Sequence, residues 1–152
     1  MKKFKKILFP VDFSDVSAEI APWVLMVAEK FDAEIHLLFV ARGLGYFSDV
    51  YVTPASIENF EAEVARGGET AMEEFVSAHF EKYPSVETKV ELGDPGDRIL
   101  NYVTSKGIDL VIMGTHGRKG FERVFFGSVA DRVIKMAQVP VLSINPYRVK
   151  ES

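Results

Sequence analysis

Residues 110–130 read LVIMGTHGRKGFERVFFGSVA, and they contain the strongest indication of fold class in the chain. The run from Leu110 to Gly114 is short, continuous and apolar, which is typical of a central strand covered on both faces. The glycines that follow predict a loop, and the apolar spacing after Ser128 predicts a helix. A strand, a loop and a helix in this order are typical of α/β proteins with a parallel sheet.

Four further apolar runs lie outside this stretch, separated by segments with helical spacing. This alternation indicates βαβ units and an open, mostly parallel sheet with helices on both faces, similar to a Rossmann fold. The third run alternates with charged residues, so we expect it at an edge of the sheet. The five predicted strands are Lys6 to Asp12, Glu34 to Val40, Val86 to Leu92, Leu110 to Gly114 and Val141 to Asn145.

The segments between the strands predict helices whose ends differ in clarity. Pro22 would remove a backbone hydrogen bond, so the first helix either begins near Ser17 or bends at the proline. The pair Gly67-Gly68 leaves open whether the second segment is one helix. The third is well bounded, because Asp94 and the proline after it are typical of a helix start and Gly107 of a helix end.

Composition and length exclude several classes of protein. The 152 residues, of which 47% are hydrophobic, predict one globular domain spanning residues 1–152 and argue against disorder. No apolar run approaches the ~20 residues that span a bilayer, so we expect no membrane partner. The chain has no cysteine, which excludes disulfides and thiolate zinc sites. With no export signal recognised, a cytoplasmic location is the expectation.

The charges are unevenly distributed. The net charge is −4, and residues 53–83 carry seven acids against two bases, a surface that would repel nucleic acid. Residues 114–135 carry five bases against two acids. A small anionic ligand suits this local positive charge better than a nucleic acid duplex, which calls for a broad basic face.

The glycine spacing after the fourth strand suggests where an anion would bind. Gly114, Gly117, Gly127 and Ser128 form the pattern G-x2-G-x9-G-S, and glycines let backbone N–H groups converge on phosphate oxygens. Ser128 and Asp131 are spaced as a capping pair at a helix N-terminus, itself an anion site. The alternative is that the glycines only build turns and Ser128 is an ordinary cap. P-loop and dinucleotide motifs are both absent.

The sequence alone does not fix the strand order. If the order is 3-2-1-4-5, the winding reverses between the first and fourth strands, and a ligand would bind at their carboxyl ends, which carry Asp12 and Gly114. Asp12 could instead cap the first helix, or do both. His36, His79 and His116 share no metal-ligand spacing, so we predict no metal site on the protein. No nucleophile accompanies His116, and no catalytic residue is predicted.

The chain resembles the ATP-binding branch of the universal stress protein family over nearly its whole length. The matching motifs are ILFPVDFS at residues 7–14, GDP at 93–95, DLVIMGTHGR at 109–118, GSV at 127–129 and PVL at 140–142. Pro22 and the aromatic insert from Gly43 to Val52 depart from the family pattern. The resemblance implies the order 3-2-1-4-5 and a homodimer through the last strand, for which Val139 to Pro146 supply an apolar edge.

The resemblance also implies the residues of an adenine nucleotide site. Adenosine would be enclosed by Pro10, Val11, Asp12, Val40 and Met113, with the Val40 backbone against the adenine edge and Asp12 bonded to the adenosine. Ribose and phosphates would be held by Gly114, Thr115, His116, Gly117, Arg118, Lys119, Gly120, Gly127, Ser128, Val129 and Ala130. Mg²⁺ would be bound through the phosphates.

The function implied is that of an ATP-binding regulatory dimer of the stress response, with an unidentified protein partner and at most slow hydrolysis. One alternative is an adenine-nucleotide hydrolase, which would require a base and metal-binding carboxylates that the motif does not obviously supply. Another is a protein that binds AMP or a cyclic nucleotide instead of ATP.

Overall fold

The computed structural model describes residues 3–43, 53–115 and 126–149. Within these ranges every helix is too short or too polar to cross a lipid bilayer. Strands and helices alternate along the chain as predicted. They are β1 (Lys6–Pro10), α1 (Asp15–Phe31), β2 (Glu34–Ala41), α2 (Pro54–His79), β3 (Val86–Leu92), α3 (Pro95–Lys106), β4 (Leu110–Gly114), α4 (Phe126–Met136) and β5 (Val141–Ile144).

The five strands form one parallel sheet in the order β3-β2-β1-β4-β5. This confirms the predicted fold class, and β3 lies at an edge as its charge alternation indicated. β1 is central, with Ile7 beside Ile35 of β2 on one side and beside Leu110 of β4 on the other. The winding direction therefore reverses between β1 and β4, where open α/β sheets bind ligands.

Alternate residues of the central strands enter two different cores. Ile7 and Phe9 pack with α1 and α2 in what we call the first core. Leu8, between them, packs with α3 and α4 in the second core. β2 and β4 divide their side chains in the same way, because successive side chains of a strand point to opposite faces. This is why these strands read as continuous apolar runs: both faces of the sheet are covered by helices.

The sequence left open where α1 begins and whether α2 is one continuous helix. α1 begins at Asp15, two residues before Ser17, and contains Pro22 on its exposed side. α2 is one helix of 26 residues. A Cβ on Gly68 would lie 2.9 Å from Cγ1 of Val90, so the glycine allows α2 to pack closely on β3.

The two helices of the second core differ in how well their starts were predicted. Asp94 caps α3 as expected, accepting a hydrogen bond from the Asp97 N–H, and Gly107 ends it with φ 65°. The predicted start of α4 is wrong, because α4 begins at Phe126 and Ser128 lies inside its first turn. Asp131 pairs with Lys135 at 3.0 Å.

Some predicted residues fall outside the described ranges. These are the loop residues His116, Gly117, Arg118, Lys119 and Gly120 and, except for Gly43, the insert from Gly43 to Val52.

Candidate functional site

A cleft of about 130 Å³ lies at the carboxyl ends of β1 and β2, beside the point where the winding reverses. Its walls come from the two strands, the start of α3 and the first turn of α4. Aliphatic side chains and prolines make most of the surface, with one carboxylate and one guanidinium at its edges. The lining residues are Pro10, Val11, Asp12, Leu38, Val40, Arg42, Pro95, Ile99 and Val129.

Asp12 holds the turn between β1 and α1 in place. Its Oδ1 accepts hydrogen bonds from the Ser14 N–H at 2.9 Å and from the hydroxyls of Ser14 and Ser17 at 2.5 and 2.8 Å. In return, the Asp12 N–H donates to the Ser17 hydroxyl at 3.0 Å. Asp12 therefore organises the start of α1 and lines the cleft at once, so the two roles considered from the sequence do not exclude each other.

Phe13, next to Asp12, has φ 62°. This is the left-handed region, which a bulky side chain rarely adopts. The ring of Phe13 stacks on Phe39 with 4.6 Å between centroids and meets Phe75 edge-on at 5.9 Å. These aromatic contacts offset the backbone strain and fix the direction in which the chain leaves β1 beneath the cleft.

The backbone of Val40 faces the cleft because β2 is longer than β1. The Leu38 carbonyl accepts a hydrogen bond from the Val11 N–H, so even-numbered residues of β2 turn their polar groups toward β1. β1 ends at Pro10, opposite Leu38. The N–H and carbonyl of Val40 thus lie beyond the end of β1. There they could form hydrogen bonds with the polar edge of a flat ligand.

A cluster of charged residues borders the cleft near α3. Arg132 of α4 bonds to Asp94 at 2.8 Å and also pairs with Asp97. Arg42, which lines the cleft, lies 3.8 Å from the second oxygen of Asp94. The hydrogen bond from the Asp97 N–H, helped by the two arginines, keeps the pKa of Asp94 below its ordinary value. The cluster ties α3 to α4 and leaves the local positive charge partly neutralised.

The first turn of α4 lies against the cleft, since Val129 is one of the lining residues. Gly127 and Ser128 belong to the same turn. The first four N–H groups of a helix have no partner within it, and the N-terminus carries a partial positive charge. This end of α4 can therefore receive an anionic group from a ligand seated in the cleft.

The predicted site residues within the described ranges fall into three groups. Five of them, Pro10, Val11, Asp12, Val40 and Val129, line the cleft. Four others described, Gly127, Ser128, Gly114 and Thr115, lie in the first turn of α4 or at the end of β4, where the Thr115 N–H bonds to the Ile144 carbonyl at 2.9 Å. The last two, Met113 and Ala130, are buried in the second core and are not among the described residues that line the cleft.

Four lining residues were absent from the predicted set: Leu38, Arg42, Pro95 and Ile99. Leu38 could have been found, because it shares a strand face with Val40 two residues away. Pro95 and Ile99 lie in the helix whose start was predicted, but only the fold brings that start to β2. Arg42 carries no sequence signal beyond its position at the end of a strand.

Comparison with known proteins points to one family. The model of the universal stress protein family matches residues 3–145. Universal stress protein MJ0531 of Methanocaldococcus jannaschii is 36% identical over 143 residues, which cover 93% of this chain and 82% of that protein.

Solved structures share the architecture over almost the whole chain. MJ0577 of Methanocaldococcus jannaschii superposes with a TM-score of 0.81 at 25% identity, covering 99% of this chain and 100% of that one. A family member from Arabidopsis thaliana with AMP bound has a TM-score of 0.63 at 22% identity, with 93% and 91% covered. One from Archaeoglobus fulgidus in complex with dAMP gives 0.61 at 20%, with 95% and 100% covered. On the family match and the identity to MJ0531, the chain belongs to the universal stress protein family.

Proposed function

We propose that the protein binds ATP in the cleft and acts as a nucleotide-dependent regulatory dimer of the stress response. The observation that carries this proposal is the combination, in one cleft, of aliphatic walls with the exposed strand backbone of Val40. Apolar walls with a few placed polar groups are what small-molecule sites require. An adenine ring offers two apolar faces and a hydrogen-bonding edge, which match these walls and that backbone.

The rest of a nucleotide fits the remaining groups. The Asp12 carboxylate, at the end of β1, is suited to accept hydrogen bonds from ribose hydroxyls. The start of α4, with Gly127 and Ser128, is suited to phosphate oxygens. The predicted segment from Gly114 to Gly120 would complete the phosphate site, with Mg²⁺ carried on the phosphates. Family members with AMP and dAMP support an adenine nucleotide as the ligand class.

Binding, with at most slow hydrolysis, is the activity that we propose. Rapid hydrolysis needs a base and carboxylates that hold a metal ion near the phosphates. Among the described residues, the cleft is lined by one carboxylate, Asp12, whose Oδ1 is already engaged by two serines. Asp131 is paired with Lys135. A turnover rate of about 1 per second or more would be typical of an enzyme and would contradict this part of the proposal.

The homodimer would form through β5, which is an edge strand of the sheet that the described residues form. Leu142 on β5 and Ile134 and Met136 on α4 are 41%, 49% and 63% exposed. Apolar side chains beside an open strand edge favour pairing with a second copy across a two-fold axis. Sedimentation that shows only monomer at micromolar concentration would contradict the dimer. The unidentified protein partner and the cytoplasmic location belong to the same proposal.

The test is a binding measurement with nucleotides of different phosphate length. Val40→Trp places a large ring in the cleft, and Thr88→Trp, on an exposed position of β3, is its matched control. We expect the parent and Thr88→Trp to bind Mg-ATP and Val40→Trp to lose binding. ATP should compete better than AMP or cyclic AMP. Tighter binding of AMP or cyclic AMP would replace ATP as the ligand, and equal ATP binding by both variants would remove the site from the cleft.

A further inference from the structure

A second cluster of ligand-type side chains lies at the opposite ends of the strands from the cleft. His36 on β2 is fully buried and stands beside Glu87 on β3 in the sheet register. Glu34 begins β2 two residues earlier, so it projects from the same face as His36. Tyr102 of α3 covers the imidazole. The cluster shares no lining residue with the cleft.

The two ring nitrogens of His36 have different surroundings. Nδ1 lies 2.7 Å from the Tyr102 hydroxyl and 3.3 Å from a carboxylate oxygen of Glu87. Nε2 has no hydrogen-bond partner among the described residues, although a carboxylate oxygen of Glu34 lies 2.6 Å away. That oxygen is close enough to touch Nε2 but does not lie in the direction a hydrogen bond requires.

A fully buried nitrogen without a hydrogen bond is costly and calls for an explanation. If Nδ1 carries the proton, the lone pair of Nε2 faces the negative carboxylate of Glu34 and is repelled by it unless a positive charge lies between them. If Nε2 carries the proton, its N–H is not directed at that oxygen and stays unsatisfied. A carboxylate oxygen beside the lone pair, instead of along it, is placed as a neighbouring ligand of the same ion would be.

We propose that Glu34, His36 and Glu87 bind a divalent transition-metal ion, for which Zn²⁺ is the best match. One ligand atom from each of the three lies within 4.8 Å of the others. The Glu87 oxygen lies 3.3 Å from Nδ1, so its exposed side chain would have to turn toward Nε2 when the ion binds. Imidazole nitrogen and carboxylate oxygen are ordinary zinc ligands, and three protein ligands leave a fourth position for water. The side chains of Glu34 and Glu87 are 34% and 47% exposed, so an ion could enter from solvent.

Two neighbours complete this arrangement. The Tyr102 hydroxyl would orient the ring through Nδ1, the kind of contact that metal-bound histidines make with their second nitrogen. Lys106 lies 3.7 Å from the other oxygen of Glu87 and offsets part of the negative charge of the two glutamates. Metal binding would thus join β2, β3 and α3 at the edge of the sheet.

The test is a titration of the nucleotide-free, chelator-treated full chain with ZnCl₂ by calorimetry, with Co²⁺ absorption as a second probe. We expect one ion per chain and a rise in the melting temperature on binding. Glu87→Gln changes an exposed ligand without disturbing the core and should weaken zinc binding at least about tenfold. Tyr102→Phe should weaken it by about 10–100-fold.

His79→Gln is the matched control, because His79 lies on α2, away from the cluster, and its loss should leave zinc affinity unchanged. Zinc should also shift the Nε2 resonance of His36 in a ¹⁵N-histidine spectrum. The proposal is overturned if the parent binds no zinc at micromolar concentration, or if Glu87→Gln binds as tightly as the parent. It is equally overturned if His79→Gln alone removes binding.

Discussion

Replacing Asp12 with alanine should destabilise the protein and disturb the cleft together. Oδ1 of Asp12 accepts three hydrogen bonds, from the Ser14 N–H and from the hydroxyls of Ser14 and Ser17. A net contribution of about 1 kcal/mol for each bond predicts a loss of about 3 kcal/mol in the free energy of unfolding. For a chain of this length that corresponds to a fall of about 6–12 °C in the melting temperature.

Urea denaturation of three variants measures this effect. Asp12→Asn keeps an acceptor oxygen and loses only the charge, so we expect a loss of about 1 kcal/mol. Asp15→Ala removes an exposed acid from the first turn of α1 and should lose about 0.3–1 kcal/mol, through the helix dipole. If Asp12→Ala is no less stable than Asp15→Ala, the hydrogen bonds of Asp12 do not hold the turn and the reasoning is refuted.

Three further predictions concern packing and ionisation. A Cβ at Gly67 would meet nothing within 4 Å, so Gly67→Ala should raise the free energy of unfolding by about 1 kcal/mol. A Cβ at Gly68 would press on Val90, so the free energy of unfolding of Gly68→Ala should be about 1–3 kcal/mol lower than that of Gly67→Ala. The folded pKa of Asp94 lies below its ordinary 3.8, so the stabilisation by its carboxylate is present above that pH and is lost as the pH falls below it. In melting curves measured at several pH values, Asp94→Asn should lose less stability at acid pH than the parent. An equal loss at acid pH in both proteins would contradict this prediction. Burial and nearby glutamates raise the pKa of Tyr102 to about 12 from 10.0. Between these pH values the tyrosine ionises in the unfolded chain but not in the folded one, so the free energy of unfolding should fall as the pH rises. Tyr102→Phe should show a smaller fall.

The fold could be predicted from the sequence because its strands carry a strong, local signal. Continuous apolar runs such as Leu110 to Gly114 follow from burial on both faces, and the charge alternation of β3 follows from its edge position. The strand order required the family resemblance. It depends on contacts between segments distant in sequence, such as Ile7 with Leu110, which no local pattern reports.

The candidate site was predictable only in part. Asp12 and Val40 end neighbouring strands, so their meeting at one cleft follows from a parallel sheet. Arg132 is one of the five bases counted between residues 114 and 135, and the fold brings it to Asp94 and Asp97. The spacing of Ser128 and Asp131 fits a capping box, but the helix begins two residues before Ser128.

The cluster around His36 was missed for a different reason. Histidines at metal-ligand spacing are the usual sequence signal of a metal site, whereas this cluster combines one histidine with carboxylates on two strands. Glu34 and His36 are two residues apart, which is unremarkable in a helix but places both side chains on one face of a strand. Glu87 joins them only through the register between β2 and β3.

The location of the nucleotide is the central claim, and an NMR titration of the ¹⁵N-labelled chain with Mg-ATP tests it most directly. We predict that the amide resonances of Val40, Asp12 and Gly127 shift in a saturable way, while those of Glu87 and Thr88 do not. Shifts confined to other parts of the chain, or none at millimolar Mg-ATP, would contradict the assignment of this cleft as the nucleotide site.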